Sequence, residues 1–102
     1  MTQIVRYRTA DWAADANQSA IESVFAELAV EAPEDLSYSV YRHGNEFVHI
    51  VASGADVLGR LPAFQEFLTG LRTRLAVEPT SSPVTLIGTY RSEGLGGGAG
   101  GG

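Results

Sequence analysis

The only two histidines of this chain, His43 and His49, flank Gly44-Asn45 in the stretch "YRHGNEFVHI". Imidazole titrates near neutral pH, so a histidine beside tyrosines suits proton transfer to or from a substrate oxygen. Gly44-Asn45 reads as a two-residue hairpin turn, since glycine and asparagine tolerate positive φ. Residues directly across such a hairpin share a face, which pairs His43 with Glu46, Val40 with His49 and Tyr38 with Val51. His43 and His49 then point to opposite faces, and one chain cannot bring both to a single metal ion. His43 reads as a surface residue beside the turn. His49 shares a face with Leu36, Tyr38, Val40, Phe47 and Val51. There it is a candidate base toward a phenolic or enolic proton, with Tyr38 beside it as the second candidate catalytic residue. The alternative is a histidine packed between strands, satisfied by a tyrosine hydroxyl or a backbone carbonyl.

Around these two, Trp12, Tyr7, Phe47, Phe64 and Phe67 are the candidate ligand-binding side chains. Trp12, just before the first helix, would form an aromatic wall at a pocket mouth or staple the helix entry against the sheet. Tyr7, Tyr38 and Tyr90 would donate hydrogen bonds to a ligand, or serve as core residues whose hydroxyls reach the edge. Arg6, Arg8 and Arg42 would bind a carboxylate or an enolate, or stay solvated on their strands. Glu34 and Asp35 sit in a loop, without the apolar setting that raises a carboxyl pKa. No serine stands in a G-x-S-x-G elbow.

Composition removes several chemistries. The chain has no cysteine, so disulfides, thiolate nucleophiles and thiolate-bound zinc are excluded. All seven basic residues are arginine, which excludes Schiff-base catalysis by lysine. No metal is expected, because His-x-His and H-E-x-x-H spacings are both missing. A net charge of −5 with no basic block argues against nucleic acid. The N-terminus lacks the basic and apolar regions of a secretory signal, and no run of about 20 apolar residues spans a bilayer. The default location is cytoplasmic, without membrane contact.

The elements that must position these residues follow from periodicity. "IVRYRT" (4–9) reads as a strand. Ile21, Val24, Phe25 and Leu28 repeat at helical spacing within residues 14–32, with Asp15 and Gln18 resembling a capping box at the start. Pro33 ends that helix. The hairpin strands are 36–43 and 46–53. Pro62 opens a second helix whose stripe is Leu61, Phe64, Leu68, Leu71 and Leu75, with Phe67 beside it. Arg72 and Arg74 suit its C-terminal dipole, and Gly70 marks close packing or a kink. "PVTLIGTYR" (83–91) reads as the last strand. Residues 1–93 thus form one α+β domain of ferredoxin-like βαββαβ order, a four-stranded antiparallel sheet with two helices on one face. Seven of the twelve glycines lie in residues 94–102, a flexible tail. Its G-x-G-x-x-G match lacks the strand and helix that a dinucleotide site requires.

Two helices cover one sheet face only. The other carries Tyr41, Val48 and Ile50, and an exposed apolar sheet face usually marks an interface. A two-fold homodimer packed sheet against sheet is therefore expected.

The βαββαβ order, the "FVHIV" strand and the "LPAFQEF" opening of the second helix resemble the antibiotic biosynthesis monooxygenase-like group of dimeric α+β barrels. The resemblance spans residues 3–92. It implies a homodimeric barrel with a pocket in each subunit between sheet and helices. It also implies either cofactor-independent monooxygenation of an aromatic or quinol-type substrate, or haem degradation. The haem-degrading branch carries its iron-binding histidine on the second helix, and "PAFQEFLTGLRTRLA" has none, so no cofactor is expected. Two functions compete: a cofactor-independent monooxygenase, and a non-catalytic ligand-binding or assembly module. A cavity on which His49 and a tyrosine hydroxyl converge would favour the first. A space filled by Phe25, Phe64 and Phe67 would favour the second.

Overall fold

The computed structural model describes residues 2–53 and 57–92. The glycine-rich tail lies outside the described residues. Strand β1 (Thr2–Thr9) leads through a short 3-10 turn into helix α1 (Ala14–Glu31). The hairpin of β2 (Leu36–His43) and β3 (Glu46–Ser53) follows, then α2 (Pro62–Arg74) and β4 (Leu75–Val84). The antiparallel sheet runs β2-β3-β1-β4, so the hairpin's second strand and β1 lie at its centre. This is the expected α+β ferredoxin-like order.

Local chemistry sets the element ends. Gly44 takes φ +62 and closes the hairpin with the anticipated register, His43 opposite Glu46 and Val40 opposite His49. Asn45 ties that turn to β1: its Nδ2 donates to the Thr9 carbonyl at 2.6 Å, and its carbonyl accepts the Thr9 N–H at 2.9 Å. Helix α1 stops at Ala32, a left-handed cap with φ 44, and Pro33 prevents continuation. Pro62 occupies the first turn of α2, where the Glu27 carboxylate of α1 accepts the Ala63 N–H at 3.3 Å.

The core lies between the helices and one sheet face. It joins Tyr7 and Phe47 of the sheet to Ile21 and Val24 of α1 and to Phe67 and Leu71 of α2, with Leu58 and Leu61 closing one side.

Three expectations change. The last strand is Leu75–Val84, and residues 85–92 carry no regular structure. The reason is pairing supply: β4 starts directly after α2, and its pairing with β1 runs from Thr9 opposite Leu75 to Thr2 opposite Val84. No length of β1 remains for the more apolar 85–91. As an edge strand that the helices do not cover, β4 needs no apolar alternation and tolerates Pro79 and Pro83. The Asp15–Gln18 capping box does not form. The residue before α1 is Ala13, without a side-chain cap, and both polar side chains instead accept hydrogen bonds from the Arg42 guanidinium, at 3.0 and 2.5 Å. In α2, Phe67 rather than Leu68 is central. Phe67 is buried and Leu68 exposed, because the buried face follows Phe64, Phe67, Leu71 and Arg74.

Candidate functional site

His49 lies on β3, between β2 and β1, and takes one tyrosine from each neighbour. Val40 and Val5 stand directly opposite it in the two pairings. Its diagonal neighbours on the same face are Tyr38 and Tyr7, within reach of long side chains. The Tyr38 hydroxyl lies 2.8 Å from His49 Nδ1, and the Tyr7 hydroxyl 2.8 Å from Nε2. Both ring nitrogens are engaged.

The polar chain continues into the helices. Asn17 Nδ2 of α1 donates to the Tyr7 hydroxyl at 2.9 Å, and Arg74 Nε of α2 donates to Asn17 Oδ1 at 3.0 Å. The guanidinium also lies over the Phe67 ring, 5.8 Å from its centroid. Five side chains from β2, β3, β1, α1 and α2 thus share one hydrogen-bonded line through the core.

Burial governs their protonation. His49 is 4% exposed, and desolvation lowers its pKa from 6.5 to about 4, so the ring is neutral at pH 7. Burial pushes the Tyr7 hydroxyl up to about 12, against the lowering pull of Asn17 and of the Arg74 charge. Tyr38 is raised further, by burial first and then by Tyr7. None of the three ionises readily. These three direct hydrogen bonds without carrying charge, and the charge of the line is the Arg74 guanidinium at its far end.

Aromatic rings fill the surrounding space. Phe25 stacks on Tyr38 at 5.0 Å, Phe64 meets it edge-on at 6.4 Å, Phe67 lies 5.6 Å from the His49 ring, and Tyr7 stacks on Phe47 at 5.6 Å. Among the described residues, His49 is enclosed by the rings of Tyr7, Tyr38 and Phe67. A pocket of about 230 Å³ opens at the C-terminal end of α1, lined by Leu28, Ala32, Pro33, Leu36 and Tyr38. Tyr38 belongs to both the polar line and the pocket wall.

The structure brings together Tyr7, Tyr38, Phe47, His49, Phe64 and Phe67, and leaves the other candidates apart. Trp12 is 78% exposed in the 3-10 turn before α1, while the pocket lies past Leu28 on the same helix, about 20 Å along its axis. It forms no wall of that pocket. Tyr90 is 91% exposed, beyond β4, and belongs to neither core nor site. Arg8 pairs with Glu46 at 3.5 Å on the surface. Arg42 lies over the Phe47 ring at 5.6 Å and ties the hairpin to the start of α1. His43 is exposed, 3.9 Å from Glu46. Among the described residues, no three His, Asp or Glu side chains gather to hold a metal. No described helix is long and apolar enough to cross a membrane.

Asn17 and Arg74 were not anticipated as site residues. Asn17 had a readable signal: it interrupts the apolar line Ala14, Ile21, Val24 on the buried face of α1. Arg74 falls on the buried face of α2, seven residues after Phe67, where its charge suggested only a dipole partner.

No family model and no curated protein sequence matches this chain. Solved structures do. An antibiotic biosynthesis monooxygenase superposes with TM-score 0.68 at 14% identity, covering 86% of this chain and all (100%) of that one. A conserved protein from Methanosarcina mazei gives 0.63 at 14%, over 79% and 87% of the two chains. SnoaB, a cofactor-independent oxygenase from Streptomyces nogalater, gives 0.59 at 19%, over 89% and 96%. The chain has the fold of the antibiotic biosynthesis monooxygenase structures.

Proposed function

We propose that this chain binds a flat, oxygen-bearing aromatic molecule at the pocket mouth bordered by Tyr38. The observation that carries this reading is the position of Tyr38: half buried, in the wall of an open pocket, with its hydroxyl backed by His49 and Tyr7. Tyr38 with Leu28, Pro33 and Leu36 supplies the apolar wall for a planar ligand. The hydroxyl supplies the polar contact that fixes its orientation. Because the interior is filled by Phe25, Phe64 and Phe67, ligand binding is the first reading.

Cofactor-independent monooxygenation is the second reading, favoured by the polar line behind Tyr38. In that reaction an anthrone-type CH₂ loses a proton, and its enolate gives electrons to dioxygen. A C–O bond forms, the O–O bond of the hydroperoxide breaks, and the second hydrogen leaves with the departing oxygen as water, giving a ketone. His49 has no free ring nitrogen, so any proton it exchanges with a substrate passes through Tyr38.

The functional unit in this reading is a homodimer joined through the uncovered sheet face. Ile4, Val48 and Ile50 are half buried there beside exposed Tyr41, with Ile4 directly opposite Ile50. Native mass spectrometry of the purified protein tests both parts. A dimer retaining an aromatic molecule supports the reading, and a monomer that binds no quinol or anthrone defeats it. Oxygen uptake with those compounds, lost in Tyr38→Phe, would select monooxygenation; none across the whole set would leave a binding module.

A further inference from the structure

The line from Arg74 to Tyr38 has a direction, and it can be worked out donor by donor. A guanidinium only donates, so Asn17 Oδ1, 3.0 Å from Arg74 Nε, accepts. This fixes the Asn17 amide, whose Nδ2 then donates to the Tyr7 hydroxyl at 2.9 Å. The Tyr7 hydroxyl keeps its own proton to place, and His49 Nε2 at 2.8 Å is the acceptor that faces it. Were Nε2 protonated instead, Tyr7 would accept twice and its own proton would be buried without an acceptor, which is unfavourable. Nε2 is therefore bare, and the single proton of the neutral ring sits on Nδ1. Nδ1 lies 2.8 Å from the Tyr38 hydroxyl, which accepts. The line ends on Tyr38 with a proton to give.

We propose that Arg74 and Asn17 are positioning residues that hold His49 in its Nδ1–H form and so make Tyr38 a hydrogen-bond donor to a ligand oxygen that carries no proton. Carbonyl, enolate and phenolate oxygens fit that donor. This proposal rests on the binding reading above, and it names the ligand chemistry that reading takes. A donor aimed at an anionic oxygen makes a charge-assisted bond, about twice as strong as a neutral one. The site thus favours the ionised form of a phenol or enol, which is the form that reacts with oxygen. Gly70 serves the same arrangement, because a Cβ there would stand 2.5 Å from Arg74 Nη1, in the path of the guanidinium toward Asn17.

The test is the ring-nitrogen spectrum of the ¹⁵N-labelled full chain at pH 7, with His49 assigned by comparison with His43→Gln. The expected pattern is a protonated, pyrrole-type Nδ1 and a bare, pyridine-type Nε2. In Asn17→Asp the carboxylate accepts from both Arg74 and Tyr7, every bond beyond it reverses, and the two nitrogen types exchange places. A purely structural Asn17 would not produce that exchange. An Nε2–H form in the unmutated chain, or an unchanged pattern in a folded Asn17→Asp, overturns the proposal. The unmutated spectrum decides by itself should Asn17→Asp not fold.

4-Nitrophenol, whose anion has its own absorbance, reads the ligand half. The anion is expected to bind about tenfold more tightly than the neutral phenol, and this preference should disappear in Asn17→Asp. Equal affinity for both forms overturns the selectivity. No binding at all, with the expected nitrogen pattern, sinks the binding reading while the positioning role stands. Binding with the wrong nitrogen pattern does the reverse.

Discussion

Gly70 lies one helical turn before Arg74, and the space a side chain would take at Gly70 is held by the Arg74 guanidinium. In Gly70→Ala the new methyl group would displace the flexible tip of Arg74 and leave the backbone in place. Alanine gains about 1 kcal/mol of helix propensity, and the lost Arg74–Asn17 bond costs a similar amount. Urea unfolding should therefore place Gly70→Ala within about 1 kcal/mol of the parent. A much larger loss would mean that Arg74 has nowhere else to go.

Stability should fall in mild acid because of His49. Its folded pKa of about 4 lies below the unfolded value of 6.5, so in that window the unfolded chain binds the extra proton. Stabilisation from the neutral ring is complete above pH 6.5 and is lost as pH falls toward 4, roughly 3 kcal/mol in all. Glutamine can also bond both tyrosines but does not titrate. Urea melts of His49→Gln should show this part of the slope abolished; an unchanged slope would place its source elsewhere.

Tyr38→Phe keeps the ring that stacks with Phe25 and removes the hydroxyl that accepts from His49. The buried Nδ1–H loses its acceptor, which should cost about 1–3 kcal/mol of stability. Affinity for an oxygen-bearing aromatic should drop about tenfold, while affinity for the same ring without oxygen changes little. Calorimetric titration with both molecules checks this, and a parallel loss for the two would remove Tyr38 from the polar contact.

Tyr41→Glu places a charge on the uncovered sheet face, on edge strand β2 opposite Val48. Tyr41 is 64% exposed in the single chain, so folding should survive, with stability changed by less than about 0.5 kcal/mol. A dimer joined at that face should become a monomer in sedimentation equilibrium. A persistent dimer would assign the interface to another surface.

The hairpin and its two faces were legible because a two-residue turn fixes register locally: once Gly44-Asn45 is identified, Tyr38 and His49 must share a face. Tyr7 could not be placed beside His49 in the same way. That contact depends on β1 pairing with β3, which sets Val5 opposite His49 across most of the intervening chain. Asn17 and Arg74 were harder still, since buried Asn17 bridges half-buried Arg74 and Tyr7, a contact set by how α1, α2 and the sheet pack. The last strand was misplaced for a related reason. Apolar alternation marks strands with a buried face, and β4 beyond Leu75 has none. Its position follows from where α2 ends and how much of β1 is free, both properties of the whole fold.

The composition of β4 bears on how copies of this chain can meet. Strand β4 carries two prolines, Pro79 and Pro83, each without a backbone N–H to donate. Pro83 stands opposite Gln3 in the regular part of the ladder, whereas Pro79 lies at the register shift between the Arg6–Thr80 and Arg8–Val77 pairs, and edge strands and bulges are where proline is tolerated in a sheet. An incoming strand would meet an edge with two prolines and two register shifts, and prolines and bulges guard sheets against runaway rim-to-rim growth. Crowded copies of the folded chain are thereby steered away from fibre formation along β4, while broad-face contact remains open to them.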